Sequence, residues 1–448
     1  MNQNTYEIAI IGGGVCGTAL LYTLSNYTNV SRIALIEKNS AVALVNSHKS
    51  SNSQTLHFGD IETNYSLEKA RQVNLAASLV KNYLHQNDPK QQIYTKYHKM
   101  VLAVGEEQAA KLKARYQEFK QLFPSLRLIT KAEIAQVEPK VLESRDSSQN
   151  VLALFTDEGY TINFQKLAQS FLDNGVNNSA KSIDTFFDCK AIKISQENDY
   201  YVIKTLAKTI KARAVAVEAG AHSLLLAKSL GYGKDYALLS VAGSFYLTPQ
   251  LLRGKVYTVQ LKKLPFAAIH GDPEVDDPNI TRFGPTAKVL PMLERHNYST
   301  VVEYFKTAGL SLRAIASFLK ILADWTILKY IVLNLIYDFP VIGKRLFIKQ
   351  VRKIVPSITL QELKFAQGYG GIRPQVVNLD SRSLELGEAK IVGKNILFNI
   401  TPSPGASTCL QNAQEDTERL INFLGTEYQF DREKFLQDLS NQADFVNS

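Results

Sequence analysis

The feature that most constrains the fold of this chain is a glycine turn close to its N-terminus. Residues 6–11 (YEIAII) form a short run of apolar, β-prone residues. This run leads directly into the turn GGGVCG (residues 12–17) and then into a helix-forming segment, residues 18–24. A second apolar run, residues 32–37 (RIALIE), ends in an acid twenty residues after the turn. Strand, glycine turn, helix, strand and acid in this order predict a Rossmann-like unit that binds an adenine dinucleotide.

Each position of the pattern has a physical role. Gly12 permits the tight turn, Gly14 lets the backbone approach a pyrophosphate, and Gly17 lets the helix pack closely on the strand. The N–H groups and the positive dipole at the helix N-terminus favour phosphate, and Glu37 can accept hydrogen bonds from ribose hydroxyls. The alternative is a glycine-rich turn in some other α/β fold. The residues predicted to contact the dinucleotide here are Gly12, Gly13, Gly14, Cys16, Gly17 and Glu37.

The glycine turn alone does not distinguish NAD from FAD, but two later segments favour FAD. Residues 211–220 (KARAVAVEAG) read as a strand whose small terminal residues allow close approach to a dinucleotide. Residues 399–413 (NITPSPGASTCLQNA) read as a glycine turn that opens a second helix. A helix N-terminus suits reduced flavin, which is negatively charged near N1. An ordinary capped helix is the alternative for this segment. The predicted contacts are Ala219, Gly220, Pro404, Gly405, Ala406, Ser407 and Thr408.

Composition predicts a reduced cytosolic protein with no metal site. The 448 residues, 45% hydrophobic and 21% charged, suffice for two or three domains. The three cysteines, Cys16, Cys189 and Cys409, are far apart, and no His, Cys and acid cluster has metal-ligand spacing. No signal peptide is expected, and the longest apolar segment, residues 314–337, is interrupted by charges, so no transmembrane helix is expected either.

Most of the net charge of +9 lies in residues 306–353, which contain nine Lys or Arg and two acids. Nucleic acid is the usual partner of a basic patch, but basic residues among large apolar ones also suit an anionic membrane surface, which we expect here. Lys306, Arg313 and Lys320 recur every seven residues and so share one face of a helix. The alternative is a helix packed on the core with a solvated basic stripe.

Segments spread in order over almost the whole chain resemble the FAD-dependent oxidoreductases of the D-amino-acid-oxidase type. The closer resemblance is to the malate:quinone oxidoreductases, in the shorter form found in bacteria such as the ε-proteobacteria. The segments are residues 52–65 (NSQTLHFGDIETNY), 241–246 (VAGSFY), 251–260 (LLRGKVYTVQ), 263–273 (KLPFAAIHGDP), 282–287 (RFGPTA), 342–345 (IGKR), 372–376 (IRPQV) and 401–413 (TPSPGASTCLQNA).

The resemblance implies an α/β fold with a discontinuous Rossmann-like FAD-binding domain. We expect that domain over residues 1–80, 148–232 and 358–435. A substrate domain is expected over residues 81–147 and 233–357, on a mostly antiparallel sheet with a basic helical segment at about 298–338. Residues 94–104, 239–247 and 255–269 look like strands of that sheet. The polar stretch after the second strand would line FAD, since a buried polar ligand needs partners; a Ser/Asn-rich capping loop is the alternative. The further contacts implied are Ser51, Asn52, Ser53, Gln54, Ala191 and Gly370.

The activity implied is oxidation of (S)-malate to oxaloacetate, with electrons passed to a quinone by a peripheral protein on the cytoplasmic face of the bacterial inner membrane. A base must take the hydroxyl proton, and arginines must bind the substrate carboxylates. His270, which ends an apolar run before a turn, is the first candidate base, and His57 is the second. Arg373 and Arg282, each flanked by turn residues, are the candidate clamps, with Arg345 third.

Three other functions remain open at the level of sequence. An L-2-hydroxyglutarate dehydrogenase, or another FAD-dependent 2-hydroxy-acid oxidase, would need the same groups and differ only in the length of the substrate pocket. A non-catalytic dinucleotide-fold binding protein would keep the glycine turn and bind no flavin. An NAD-dependent dehydrogenase would bind and reduce NAD.

Overall fold

The computed structural model describes residues 4–440, apart from residues 179, 261–268, 309–315, 321–322, 340, 386–388 and 401–403. Arg313 and most of the apolar run before His270 therefore lie outside the described residues. The helices are α1 (Val15–Tyr27), α2 (Leu67–Asn87), α3 (Glu106–Phe119), α4 (Lys131–Val137), α5 (Pro139–Leu142), α6 (Phe164–Val176), α7 (His222–Ser229), α8 (Thr300–Ala308), α9 (Trp325–Ile336), α10 (Ile342–Val351), α11 (Cys409–Leu424) and α12 (Arg432–Leu439).

The strands belong to three sheets. They are β1 (Thr5–Ile11), β2 (Arg32–Ile36), β3 (Tyr94–Val104), β4 (Arg127–Thr130), β5 (Val151–Ile162), β6 (Ser182–Phe186), β7 (Ala191–Glu197), β8 (Tyr200–Thr205), β9 (Thr209–Val217), β10 (Tyr236–Ala242), β11 (Tyr246–Pro249), β12 (Lys255–Thr258), β13 (His270–Pro273), β14 (Ile280–Gly284), β15 (Lys288–Val289), β16 (Lys364–Phe365), β17 (Ile372–Asn378), β18 (Ser383–Glu385), β19 (Ala389–Gly393) and β20 (Ile396–Ile400).

The first sheet has a parallel centre in the order β20, β9, β1, β2 and β6. Alternate residues of β1 point to opposite faces, so Ile8 and Ile10 join the core under α1, α6 and α11, whereas Ala9 and Ile11 join the core under α7. Burial on both faces explains why β1 and β2 read as unbroken apolar runs. The Rossmann-like unit predicted from the glycine turn is present.

The second sheet is mostly antiparallel, in the order β16, β11, β14, β13, β12, β3, β5 and β4, with only β12 and β3 running parallel. A third, antiparallel sheet has the order β15, β10, β17 and β18. The α/β fold class is therefore confirmed. The domain boundaries stay a prediction. The segment 148–232, which was expected in the FAD-binding domain, contains β5 of the antiparallel sheet as well as β6 to β9 of the first sheet.

One stretch differs from its sequence-based prediction. Residues 239–247 read as a single strand, but the chain forms β10 in one sheet and β11 in another, with the break at Gly243. Gly370 packs against this break so tightly that a Cβ on Gly370 would lie 1.9 Å from the Gly243 carbonyl oxygen. The alternation of apolar residues predicts a strand but does not identify the sheet that it joins.

The described parts of residues 298–338 are largely helical, in α8 and α9, and α10 follows. On this segment α9 packs against β15, and α8 packs against β10 and α7. Among the described residues, no helix combines the length and the apolar content needed to cross a bilayer.

Candidate active site

A cavity of about 820 Å³ opens at the carboxyl ends of the parallel strands β1, β2 and β9. This is the edge at which open α/β sheets bind their ligands, and the volume falls in the range of small-molecule sites, roughly 300–1,000 Å³. The cavity extends past the ends of β10 and β17, so residues of two sheets share its wall.

The glycine turn has the backbone geometry that a close approach to a ligand requires. Gly12 has a φ of 115°, and a Cβ there would lie 2.4 Å from the carbonyl oxygen of Glu218. A Cβ on Gly17 would lie 1.9 Å from the carbonyl oxygen of Gly12. At Gly14 the nearest atom to a Cβ would be Ser47 Oγ, at 3.5 Å. Protein atoms fill the space that a side chain would need at Gly12 and Gly17, whereas Gly14 has open space toward the cavity.

Glu37 is fixed at the end of β2 by backbone donors. Its Oε2 accepts from the N–H of Gly13 at 2.7 Å, and its Oε1 accepts from the N–H of Asn39 at 2.9 Å and from Asn39 Nδ2 at 2.7 Å. An ionised carboxylate has about four acceptor positions, so three donors leave capacity for a hydroxyl. Glu37 lines the cavity, as a ribose-binding acid must.

The polar loop after β2 both folds on itself and lines the cavity. Asn52 Nδ2 donates to the carbonyl oxygens of Asn46 and His48, and Gln54 Nε2 donates to the carbonyl oxygen of Lys49 at 2.9 Å and to Glu274 Oε1 at 2.7 Å. These bonds shape the loop and leave other polar groups at the cavity wall. The loop residues on that wall are Asn46, Ser47, Ser51, Asn52, Ser53, Thr55 and His57.

A second helix N-terminus faces the cavity at α11, whose first turn contains no acid and whose N-cap residue, Thr408, makes no capping hydrogen bond from its side chain. Helix α1 likewise has no acid in its first turn. Two helix N-termini without an acid in the first turn, an acid positioned for ribose and an open glycine position fit FAD. The residues before α11 that line the cavity are Pro404, Gly405, Ala406 and Ser407.

Most of the predicted cofactor residues line this cavity, including Cys16, Ala191, Ala219 and Gly220. Five do not, and each has a structural partner instead. Gly13 donates to Glu37, Gly17 packs on Gly12, and Gly370 packs on Gly243. Gln54 is bonded within the loop and to Glu274, and Thr408 Oγ1 donates to the carbonyl oxygen of Gly405 at 3.2 Å. For every predicted residue, whether or not it lines the cavity, the role of direct contact to FAD stays a prediction.

His57 lies on the cavity wall with one ring nitrogen engaged. Its Nδ1 is 2.6 Å from Glu62 Oε1, and its backbone N–H donates to Ser407 Oγ at 2.9 Å. Burial would raise the pKa of the Glu62 carboxyl, but the hydrogen bond and charge of His57 and the charge of Lys99 outweigh it and lower that pKa. An ionised Glu62 selects the tautomer with the proton on Nδ1, which leaves Nε2 able to accept a proton.

Arg373 is the second residue of β17, close to Gly371, on which a Cβ would lie 2.5 Å from the carbonyl oxygen of Ser51 in the loop. Arg373 lines the cavity, and its guanidinium has no hydrogen bond or ion pair to any described residue. Burial lowers its pKa, and the phenol groups of Tyr65 and Tyr330 are its electrostatic neighbours. A partly buried cation without an acidic partner is suited to bind an anionic ligand.

His270 and Arg282 do not line the cavity. Strands β13 and β14 turn both side chains into a buried charged cluster, in which His270 Nε2 is 3.2 Å and Arg282 Nη2 is 2.9 Å from the carboxylate of Asp272. Lys255 Nζ lies 3.6 Å from the same carboxylate, and burial lowers the pKa of Lys255 to about 8. The predicted roles of base and clamp stay untested, but the geometry favours His57 and Arg373. Arg345 is exposed on α10, away from the cavity wall.

Sequence reasoning did not find Ser47, Glu62 and Tyr330. Ser47 Oγ accepts from the N–H of Val15 at 3.1 Å. The sequence could have indicated Ser47, because it lies only four residues before Ser51, the first residue of the polar loop that was predicted to contact FAD. Glu62 lies five residues after His57, inside the quoted segment 52–65, but no regular pattern pairs the two residues there. Tyr330 gave no local signal, because only the tertiary fold brings it to Arg373. In the part of the chain that the structure describes, no three His, Cys, Asp or Glu residues are grouped as metal ligands.

Comparison with known proteins identifies the family. The sequence profile of malate:quinone oxidoreductase matches residues 4–422. A probable malate:quinone oxidoreductase of Campylobacter jejuni is 42% identical, over 98% of this chain and 100% of its own length. The malate:quinone oxidoreductase of Helicobacter pylori strain 26695 is 41% identical, over 97% of this chain and 98% of its own.

The chain belongs to the malate:quinone oxidoreductase family. This family is FAD-dependent, in agreement with the fit of the cavity to FAD. A solved structure, the glycine oxidase of Geobacillus kaustophilus, superposes with a TM-score of 0.65 over 98% of this chain and 100% of its own. Its sequence is only 18% identical, so it shows that this member of the malate:quinone oxidoreductase family has the fold of that flavoenzyme and no more.

The glycine turn gives a first prediction, that Gly14→Val abolishes FAD binding without unfolding the protein. A Cβ at this position has room beside Ser47, so the added methyl groups occupy the cavity rather than the core. The measurement is flavin absorbance per protein after purification, with circular dichroism to check folding. Gly17→Val is the contrasting variant, because its side chain would clash with the Gly12 backbone and should reduce stability. Full flavin content in folded Gly14→Val would contradict the assignment.

Proposed function

We propose that the protein oxidises (S)-malate to oxaloacetate and passes the electrons to a membrane quinone. The observation that carries the proposal is Arg373, a partly buried cation on the wall of the flavin-type cavity with no acidic partner among the described residues. The same cavity wall contains His57, whose Nε2 is able to accept a proton. Family membership at 41–42% identity supports malate and a quinone as the two substrates.

Arg373 would bind a carboxylate of malate. The planar guanidinium can donate two parallel hydrogen bonds to one carboxylate, which fixes both the position and the orientation of the substrate. Its charge is desolvated by burial, so an anion entering the cavity gains more from it than from an arginine in water. The phenols of Tyr65 and Tyr330 are the electrostatic neighbours of Arg373.

His57 would take the proton of the malate C2 hydroxyl as the substrate is oxidised. Bound FAD would supply the acceptor for the C2 hydride and, once reduced, the source of two electrons for the quinone. Glu62 would hold the imidazole in the correct tautomer through the Nδ1 contact at 2.6 Å and would stabilise the imidazolium once Nε2 is protonated. FAD would be held by the glycine turn, Glu37, the loop 46–55 and residues 404–407.

Of the three alternative functions left open by the sequence, the family match does not favour an L-2-hydroxyglutarate dehydrogenase or another 2-hydroxy-acid oxidase. The deciding experiment measures reduction of a soluble dye by the purified protein with malate, 2-hydroxyglutarate, lactate and glycerol 3-phosphate side by side. Malate should give the highest kcat/KM. A colourless protein, a protein that reduces NAD, or a preference for another substrate would overturn the proposal.

We also propose that the protein attaches peripherally to the cytoplasmic face of the bacterial inner membrane. The supporting observation is charge, since residues 306–353 contain nine Lys or Arg against two acids. One of those acids, Asp338, is already paired with Lys288 and with Arg295. Exposed cations on this segment, such as Lys320, Lys329 and Lys349, face solvent and suit anionic headgroups.

The assignment of the base predicts that His57→Ala lowers kcat for malate by roughly 10²–10⁴, the usual contribution of acid–base catalysis, with FAD still bound. His270→Ala should have a much smaller effect, because its side chain does not reach the cavity and Asp272 retains Arg282 and Lys255 as partners. The measurement is steady-state dye reduction at a fixed flavin content. A loss of 10² or more in folded, flavin-loaded His270→Ala, with His57→Ala near normal, would return the role of base to His270.

The assignment of the clamp predicts that Arg373→Lys chiefly raises the KM for malate. Lysine keeps the charge but loses the two-pronged geometry, so binding weakens in the ground state and the transition state alike. Substrate titrations with the soluble dye measure this, and Arg345→Lys serves as the control because Arg345 is exposed outside the cavity. An unchanged KM in Arg373→Lys would remove this residue from the malate site.

The membrane proposal predicts that Lys320→Glu/Lys329→Glu/Lys349→Glu weakens binding to anionic liposomes and slows reduction of long-tailed quinones. Each basic residue near an anionic leaflet contributes about 1 kcal/mol, screened by salt. The matched control, Lys111→Glu/Lys113→Glu/Lys120→Glu on or next to α3, makes the same change in net charge. Cosedimentation at low and high salt is the measurement. Equal binding of both variants would mean that residues 306–353 are ordinary solvated surface.

A further inference from the structure

The polarity of α9 is inverted relative to that of a helix on a soluble protein. Such helices turn apolar residues inward and polar residues outward. On α9, Asn334 is buried, and its Oδ1 accepts from the backbone N–H of Ala287, a residue of the cavity wall, at 2.7 Å. Tyr330 lies on the same side, close to Arg373. The polar face of α9 therefore points toward the active site.

The opposite face of α9 is exposed and mostly apolar, with Lys329 as its charged residue. Trp325 is 72% exposed and Val332 is 46% exposed, and Leu335 lies on the same side. The stripe continues beyond the helix through Phe339, which is 61% exposed, and then through Val341 and Ile342. Positions 325, 332, 335 and 339 fall within one side of a helical projection, and 330, 334 and 337 fall on the other.

These residues belong to the largest concentration of exposed apolar side chains in the described part of the chain. Ten of the seventeen large hydrophobic residues that are exposed there lie between Tyr298 and Ile342. Scattered single residues of this kind need no explanation, but a contiguous patch indicates a partner. The exposed cations Lys320, Lys329, Arg345 and Lys349 lie in the same stretch of sequence.

We propose that the outer face of α9, together with Phe339, Val341 and Ile342, inserts into the acyl region of an anionic bilayer. This deepens the proposed membrane attachment and rests on it. The combination of an apolar stripe and neighbouring cations matches an anionic lipid surface, in which the stripe enters the acyl boundary and the cations meet the headgroups. Lys329, which is exposed on α9 beside the stripe, would reach the headgroups with its ammonium group while its methylene stem lies along the apolar boundary.

A consequence is that the lipid-facing surface and the malate site share one helix. Tyr330 and Asn334 contact the walls of the active site, while Trp325, Val332 and Leu335 on the opposite side meet lipid. A helix with its side chains is about 10–12 Å across. The lipid-facing surface proposed here is thus separated from the substrate pocket by a single layer of structure.

The chain provides its own reporter, because Trp325 is its only tryptophan. The flavin-loaded enzyme is mixed with phosphatidylglycerol/phosphatidylcholine vesicles, and its tryptophan emission is recorded with and without bromine on the lipid acyl chains. Insertion predicts a blue shift, strong quenching by acyl-chain bromine and protection from aqueous iodide. Emission that is unchanged while the protein still sediments with the vesicles would overturn the insertion and leave electrostatic attachment standing.

The matched variants are Val332→Ser/Phe339→Ser and Val392→Ser/Phe365→Ser, the latter at 50% and 41% exposed positions far along the chain. The first pair should weaken partitioning into vesicles at high salt on the order of tenfold or more, because apolar area is no longer transferred from water. Dye-linked malate oxidation should be unchanged in both pairs, which separates this inference from the proposed function. Equal partitioning of the two pairs would overturn it. A blue shift that grows with protein concentration without lipid would assign the face to a second copy of the chain.

Discussion

The close approach of two strand ends underlies the rest of the site. Where β1 and β9 end side by side, Gly12 lies so near the carbonyl of Glu218 that no side chain fits, and Gly17 brings α1 against the same backbone. Because both glycines are packed against protein, the positive end of α1 and the open position at Gly14 are left facing outward, into the cavity. The neighbouring strand β2 then places Glu37 at the same edge. A side chain at either packed glycine would move all three features together.

The antiparallel sheet contributes a buried charged cluster that supports the loop after β2. Lys99, Lys255 and Arg282 lie on strands of this sheet, and each holds one point of the loop, namely Asp60 at 2.8 Å, Thr55 Oγ1 at 3.0 Å and the carbonyl oxygen of Asn52 at 3.0 Å. The contact of Lys99 with Asp60 is a buried ion pair, and removing one partner of such a pair typically costs roughly 3–5 kcal/mol. The other two contacts are hydrogen bonds from charged donors, each worth roughly 1.5–3 kcal/mol. Together the three contacts hold the loop that carries His57.

The sequence predicts the parts of the fold in which local pattern and tertiary environment agree. The unbroken apolar runs of β1 and β2 reflect burial on both faces, and the prediction of a strand over residues 94–104 matches β3. Residues 239–247 could not be divided between two sheets, since alternation carries no information about strand partners. The choice between the two candidate bases shows the same limit, because local sequence does not tell what a side chain faces in the fold. His57 and His270 each follow a plausible pattern, and only the fold reveals that one faces the cavity and the other faces Asp272. The resemblance to a family, not any single motif, gave the substrates.

A malate:quinone oxidoreductase must bring a water-soluble acid and a lipid-soluble quinone to one flavin. In the described part of the chain, α8 packs against β10 and α9 packs against β15, and β10 pairs with β17, the strand that carries Arg373. The exposed apolar side chains of α9 would lower the solubility of an ordinary soluble enzyme, and aggregation of the free protein is their expected cost. Asn334 of the same helix bonds to Ala287 of the cavity wall, so under the proposed insertion lipid on one side and malate on the other would be separated by about the thickness of that helix.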